Sequence, residues 1–300
     1  MIINKGNLST LYTAFKAAFS AGLGQAPSQW SNIATTVPSS TGAEEYAWLG
    51  QFPNMREWMG ERVINGVATH GYTIRNKKFE MTVAVPRDKI EDDQYGIYTP
   101  MMTEMGRAAA AHPDQLVFSL LKAGASTICY DGQNFFDTDH PVLGADGVTV
   151  TLQANWDDNG GSGTAWYLLD TSRALKPIIF QDRKKPNFVA KTSETDENVF
   201  DRGEYVYGVD SRCNVGFGFW QLAYGSRKTL DEGNLIAAYT AMCERKGDHG
   251  RPLGIKPTKL VVPPGLEFAA RKLVSATTLA NGADNVLKGL VEVEVSPWLA

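Results

Sequence analysis

Hydrophobic positions open the chain at helical spacing. Leu8, Leu11, Tyr12, Phe15, Ala18 and Phe19 share one face of a segment over 7–21, because residues three and four apart are neighbours on a helix. Asn7 is placed to cap it, and Gly22, Gly24 and Pro27 to end it. Then the pattern fades. Between Ala17 and Ala43 there is no charged residue, and Ser, Thr, Gly and Pro replace any clear period. Such a stretch reads either as an extended arm lying on another surface or as an ordinary uncharged loop. Residues 51–78 differ, carrying Arg56, Glu57, Glu61, Arg62, Arg75, Lys77 and Lys78 around an Asn65-Gly66 dipeptide. Both residues of that dipeptide tolerate positive φ, so it marks a hairpin turn. A lone hairpin is marginal in water, so a long polar one calls for support from a neighbouring surface or subunit.

Alternation follows. Phe79, Met81, Val83 and Val85 face one way and Glu80, Thr82 and Ala84 the other, the mark of a half-buried strand. Pro86 closes it, and Glu91, Asp92 and Asp93 lead into a helical region, where negative charge suits a helix N-terminus. One long bent helix, or two in tandem, is expected over 98–123, with Pro113 at the kink or the second start and Gly124 at the end. Residues 130–163 read as loop-rich, with NWDDNGGSG as their flexible tip. WYLLD and PIIFQ read as strands around a helical turn TSRALK, and GEYVYGVD and VGFGFWQLAYG as further strands. A helix over 230–246 has Thr229 and Glu232 at capping-box spacing and Leu235, Ala238, Tyr239 and Met242 as its apolar face. A strand KLVV, a Pro263-Pro264-Gly265 turn and a helix LEFAARKLV come next, and Val291, Val293 and Val295 alternate with Glu292 and Glu294 at the end. The fold class is therefore α+β.

Composition narrows the function. A formal net charge of −4 with no basic stripe argues against a dedicated nucleic-acid binder. Cys129, Cys213 and Cys243 are odd in number, far apart and in no CxxC pair, which argues against a disulfide framework or a zinc site. No stretch approaches the ~20 apolar residues of a membrane span, and MIINKGNLST lacks the layout of a signal peptide. The expectation is a soluble chain made in the cytoplasm, with no membrane partner.

The densest candidate chemistry is DGQNFFDTDHP. Asp131, Asp137, Asp139 and His140, with His112 as an imagined further ligand, are what a metal-dependent hydrolase would need. Their spacing matches no metal motif, and Asp-Thr and His-Pro steps also suit turns. There is no G-x-S-x-G elbow and no HExxH. GGSG at 160–163 lacks the Lys-Ser/Thr of a phosphate loop and reads as a loop. Arg183, Lys184 and Lys185 read as a solvated turn before Pro186, or as a contact to an acidic neighbour or to DNA. The expectation is no catalytic, cofactor or metal site, and no enzyme.

Longer stretches carry a resemblance. WLGQFPNMREWMGERV, HGYTIRNKKFEMTVAVPRDKIEDDQYGIYTP, HPDQLVFSLLKAG, CYDGQNFFDTDHPV, GRPLGIKPTKLVVPPGLEFAARKLV and GLVEVEVSPWL together resemble the major head subunits of phage Mu and Mu-like prophages, in order and over almost the whole chain. The resemblance implies the Hong Kong 97-like capsid fold. On that reading 1–50 is an N-terminal arm, 51–78 an extended hairpin loop, 79–125 with 286–300 a peripheral domain containing the spine helix, and 126–285 an axial domain. Strands 79–85 and 290–295 would share the peripheral sheet, and residues 1–78 would be completed by adjoining copies.

The implied function is structural: hexamers and pentamers assembled in the bacterial host cytoplasm around a scaffolding protein, joined to a portal, closing into an icosahedral virion shell around double-stranded DNA held by weak non-specific contacts. Because the chain starts directly at the arm, the scaffold is expected to be a separate protein. One relative cross-links its subunits through Lys and Asn, but Asn76, Lys77 and Lys78 form no motif for that chemistry, so none is expected. The rival readings are an encapsulin-type nanocompartment shell, which shares the fold, and a metal hydrolase using Asp137, Asp139 and His140.

Overall fold

The computed structural model describes residues 4–46, 49, 71–92, 94–144, 146, 148–278 and 282–300. The greater part of the expected extended loop, with Asn65-Gly66, lies outside the described residues. In chain order the elements are α1 (Lys5–Leu23), α2 (Trp30–Ile33), β1 (Ala34–Pro38), β2 (Ala43–Glu45), β3 (Thr73–Arg75), β4 (Lys77–Pro86), α3 (Arg87–Glu91) and α4 (Thr99–Lys122). The middle of the chain holds β5 (His140–Leu143), β6 (Val150–Gln153), β7 (Trp156–Asp157), β8 (Trp166–Leu169), β9 (Ile178–Lys191), α5 (Glu197–Arg202), β10 (Glu204–Phe217) and β11 (Ala223–Ser226). The last part holds α6 (Glu232–Cys243), β12 (Lys246–Gly247), β13 (Arg251–Pro252), β14 (Lys259–Val262), α7 (Glu267–Ser275) and β15 (Glu292–Val295).

Two larger sheets organise these elements. A four-stranded sheet runs β1-β9-β10-β4, with β1 parallel to β9 and the other pairs antiparallel. A five-stranded sheet runs β15-β14-β8-β11-β7. The expected shared sheet for 79–85 and 290–295 is therefore corrected: β4 is an edge of the first sheet, and β15 pairs in parallel with β14 in the second. The reason lies in Glu294. The alternation exposes Glu292 but buries Glu294, whose carboxylate accepts from Asn32 Nδ2 at 3.0 Å and faces Lys259 Nζ of β14 at 3.4 Å. That ionic partner stands beside β14, not beside β4.

Each sheet has its own core. One core joins Leu8, Leu11, Phe15 and Phe19 of α1 to Met102 and Met105 of α4 and to Val85, Phe188, Tyr205, Tyr207 and Val209. The other includes Val117, Phe118 and Leu121 from the far half of α4, Ile178, Ile179 and Phe217, and the five-stranded sheet. The α4 helix and the long β9–β10 ribbon enter both cores and so tie the halves together. The expected long helix over 98–123 is this α4, unbroken through Pro113.

The first 50 residues are not simply an arm. The apolar stripe of α1 packs on α4 of the same molecule, with Phe19 stacked on Phe188 at 5.2 Å and Phe15 edge-on to Tyr207 at 5.1 Å. A pair of glycines allows the approach. A Cβ on Gly22 would stand 2.0 Å from the Thr103 carbonyl oxygen, and one on Gly106 the same distance from that of Phe19. The uncharged stretch continues as α2 and β1, and β1 adds an edge to the four-stranded sheet. Asp114, buried on α4, accepts from the backbone N–H groups of Gln29 and Trp30 at 2.8 and 2.6 Å, which seats that connection. The expectation that residues 1–78 must be completed by other copies is thus corrected for this part, because its apolar positions find partners in their own chain.

Three local expectations also change. The cap of α1 is Asn4, which accepts from the Asn7 N–H at 2.8 Å; Asn7 already lies inside the first turn. The cap of α6 is Asp231, which accepts from the Asn234 N–H at 2.9 Å, in place of the Thr229–Glu232 box. TSRALK forms no helical turn, because Asp170 takes the Ser172 N–H and hydroxyl and the Thr35 hydroxyl accepts from the Lys176 N–H.

Candidate functional site

The segment singled out for chemistry folds into a buried polar chain. Cys129 donates its S–H to Asp131 Oδ1 at 3.0 Å, and Asp131 Oδ2 lies 2.7 Å from His140 Nδ1. His140 Nε2 lies 3.2 Å from Asn155 Oδ1. The orientation of Asn155 is fixed, since its Nδ2 donates to the Phe135 carbonyl at 2.7 Å and its Oδ1 accepts from the Asp137 N–H at 2.8 Å. Each ring nitrogen of His140 therefore meets an oxygen, Nδ1 that of the Asp131 carboxylate and Nε2 that of the Asn155 amide. Burial raises the Asp131 carboxyl, but hydrogen bonds from His140 and Cys129 and the His140 charge outweigh it, and the net shift is downward. Burial, then the nearby Asp131 charge, pushes the Cys129 thiol far up, so it stays neutral.

Trp220 extends this chain. His140 stacks on it at 3.9 Å with planes 8° apart, and the guanidinium of Arg245 lies 5.3 Å from its ring. Arg245 is 3% exposed and donates to the carbonyls of Gln221, Ala223 and Ala154 at 2.7, 3.0 and 3.3 Å. Burial brings its pKa down to about 10. Three peptide carbonyls and a π face take the place of a carboxylate. The whole array locks the loops after α4, the start of β7 and the entrance to β11 into one core.

The hydrolase constellation does not form. Asp137 turns to the backbone N–H groups of Asn134 and Thr138. Asp139 lies beside it, and the hydrogen bond with Asp137, followed by burial, raises its carboxyl. His140 points instead to Asp131 and Asn155, and His112 lies on α4, edge-on to Phe79. Among the described residues, the donors that converge are Cys129, Asp131 and His140, within 4.8 Å of one another. In this structure they bond to one another, Cys129 to Asp131 and Asp131 to His140. GGSG is a loop, with Gly160, Gly161 and Gly163 at positive φ. Lys184 pairs with Asp210, and Arg183 donates to the Ser39 carbonyl at 3.2 Å.

The sequence reading missed Asn155, Trp220 and Arg245, for which no local spacing signals a role. It also missed a strand. Val148, Val150 and Leu152 alternate with Thr149, Thr151 and Gln153, and this period of two forms the β5–β6 ribbon inside the stretch expected to be loop. No described helix is long and apolar enough to cross a membrane. The described surface also holds apolar side chains out to solvent, among them Ile97, Val148, Leu152, Phe200, Phe268 and Val286.

The comparisons with known proteins agree with this. The family model described as Mu-like prophage major head subunit gpT matches residues 8–299. The chain is 44% identical to the major capsid protein of Escherichia phage Mu, covering 100% of both chains. It is 48% identical to the Mu-like prophage FluMu major head subunit of Haemophilus influenzae, over 89% of this chain and 88% of the relative. Among solved structures it is similar to the procapsid of bacteriophage JBD30, with 53% identity and a TM-score of 0.87, covering 99% of this chain and 100% of that one. The JBD30 capsid gives 39% identity and a TM-score of 0.80 over 100% of both chains.

Two sheets joined by a long spine helix, together with the likeness to both JBD30 shells, define a shell subunit of the Hong Kong 97-like class. Such subunits form the virion's shell. Within that class the chain belongs to the Mu-like prophage major head subunit gpT family. It is a major capsid protein of a Mu-like tailed phage or prophage.

Proposed function

We propose that the chain assembles as hexamers and pentamers around a scaffolding protein, joins a portal, and encloses double-stranded DNA without gripping it. The observation that supports this best is its likeness, along its whole length, to both the procapsid and the capsid of JBD30. A net charge of −4 fits a wall that contacts DNA weakly. The half built on the four-stranded sheet serves as the peripheral domain and the half on the five-stranded sheet as the axial domain. Because β9 and β10 belong to the first half and β15 to the second, that partition moves 178–217 into the peripheral domain and 292–295 into the axial one. Residues 51–78 serve as the extended loop. The subunit carries out no catalysis, and its shell holds without covalent links between chains.

Electron microscopy of the chain expressed with the scaffolding protein from its own locus tests this. Closed icosahedral shells that boil down to single chains in detergent are the expected result. Amorphous aggregate or monomers at every scaffold ratio would overturn the assembly reading, and a ladder of covalent multimers would overturn the non-covalent one.

A further inference from the structure

Cys129 and Asp131 sit on one tight turn after α4. The Cys129 N–H donates to the Gln133 carbonyl at 2.8 Å, Ile128 bridges to Asn134, and Gly132 takes a φ of 88° at the tip. His140 reaches the same point from the start of β5. A thiol sulfur, a carboxylate oxygen and an imidazole nitrogen thus lie within 4.8 Å of one another, on residues that are buried or nearly so. These are the donor types that zinc takes. A tetrahedral zinc with bonds of about 2.0–2.3 Å spaces its donors roughly 3.3–3.7 Å apart, so the set closes with about 1 Å of side-chain movement. Local spacing hides the cluster, because Cys-x-Asp-x8-His matches no metal motif.

The surroundings of His140 independently select the nitrogen that would bind. Asn155 Nδ2 is committed to the Phe135 carbonyl, and its Oδ1 accepts from the Asp137 N–H. The amide oxygen therefore faces the ring, 3.2 Å from Nε2, and Nε2 carries the hydrogen. The nitrogen left to bind a metal is Nδ1, the one turned toward Asp131. Histidine ligands are commonly held in this way, by an acceptor on the other ring nitrogen. Trp220, stacked at 3.9 Å, fixes the plane of the ring. An open cavity of about 520 Å³, bounded by Tyr72, Thr73 and the turn from Ile128 to Gly132, reaches Cys129 and Asp131. It gives an ion a way in and supplies water for a fourth position.

We propose that Cys129, Asp131 and His140 form a zinc site, one ion per subunit, completed by a water from this cavity. On binding, the Cys129 sulfur loses its proton to solvent, together with any proton held between Asp131 and Nδ1, and thiolate, carboxylate and imidazole each donate an electron pair to the metal. Metal bonds then replace the hydrogen bonds of the metal-free chain and staple the turn after α4 to β5. Thiolate and imidazole favour zinc over magnesium and calcium, which take oxygen ligands. The site lies within one chain and does not depend on how subunits assemble.

The test uses the full-length, unassembled subunit, stripped with a chelator and dialysed against zinc chloride in excess magnesium. Elemental analysis after gel filtration should find one zinc per chain, and zinc should raise the urea midpoint of the stripped subunit. Cobalt chloride should give the visible bands of a tetrahedral ion and a thiolate-to-cobalt charge-transfer band. Cys129→Ser should abolish the charge-transfer band and weaken zinc binding by more than about a hundredfold, beyond the loss that partners outside the ligand set cause. Cys213→Ala with Cys243→Ser, which leaves Cys129 as the one thiol, should keep both. Should Cys129→Ser fold poorly, the cobalt spectra of the parent and of this single-thiol variant still decide the question.

A chain that retains no zinc would overturn the site. So would a cobalt spectrum without the thiolate band, or zinc held as tightly by Cys129→Ser as by the parent, which would mark surface binding elsewhere.

Discussion

The two cores of this subunit are built on different principles. Under the four-stranded sheet, α1 and α4 close over Leu11, Phe15, Phe19, Met102, Met105, Phe188 and Val209, and the hydroxyls of Tyr205 and Tyr207 are buried there without a partner among the described residues. Beside the five-stranded sheet the aromatic core encloses Arg245, His140, Asp131 and Asn155, each bonded to named partners. The first core is specified by shape, down to two glycines that let helices touch. The second is specified by hydrogen bonds, which leave each group only one satisfied geometry. Shape tolerates changes of charge state but not of volume, whereas the polar array is sensitive to charge state as well.

The largest effect is expected where both principles meet. Trp220 is fully buried and lies between His140 and Arg245. Trp220→Ala removes a large core side chain and the π surface on which His140 and Arg245 lie, and should cost about 3–5 kcal/mol. Urea unfolding of the unassembled subunit, followed by far-ultraviolet circular dichroism, measures it. A loss below ~1 kcal/mol would mean that the stack carries little of this half.

Gly106→Ala comes next and addresses the other core. The added methyl carbon would meet backbone, the Phe19 carbonyl oxygen at 2.0 Å, so no rotamer change relieves it. Overpacking of this kind costs about 1–3 kcal/mol, and the top of that range is expected. Limited proteolysis should then cut preferentially between α1 and α2. A variant as protease-resistant as the parent would show that α1 does not depend on close approach.

The third effect depends on pH. The Asp131 carboxyl lies below its ordinary value in the folded chain, while unfolded it titrates near 3.9. A depressed carboxyl stabilises the fold above its unfolded value, and that contribution disappears as pH falls through the folded one. The parent should therefore lose stability below about pH 4 more steeply than Asp131→Asn. At pH 7 the variant should be the weaker by about 1–3 kcal/mol, the range for a buried hydrogen bond to a charged group. Parallel stability curves from pH 6 to pH 2.5 would contradict the pairing.

Much of the first core is written in the local pattern. The 3.6-residue stripe from Leu8 to Phe19 and the alternation from Phe79 to Val85 each name their buried face. What they leave out is the partner. A stretch without charges reads as an arm because its helix must find a surface, and nothing local reveals that α4 of the same chain supplies one through Gly106. The second core is hardly legible at all. Asp131, His140, Asn155, Trp220 and Arg245 are spread over more than a hundred positions, and only tertiary folding brings them together. The near-adjacent Asp137, Asp139 and His140 catch the eye instead, yet neighbouring side chains in a turn diverge. Glu294 misleads in the same way: alternation assigns it to solvent, and Lys259 and Asn32 draw it inside.

The smallest expected effect has the sharpest sign. Tyr207 is fully buried, and its ring packs on Phe15 and Phe188. Its hydroxyl has no hydrogen-bond partner among the described residues, and burial pushes the phenol pKa well up. Tyr207→Phe keeps the ring and removes only the oxygen. In a core specified by shape, deleting an unpaired polar atom removes a desolvation cost, so the variant should be unchanged or more stable by up to about 1 kcal/mol. Replacing a bonded carboxylate of the other core by an amide, as in Asp131→Asn, should do the opposite. Matched urea midpoints for the two variants test the comparison directly. If Tyr207→Phe were as damaging as Asp131→Asn, the hydroxyl would have to be held by a bond of its own, and the two cores would no longer differ in kind.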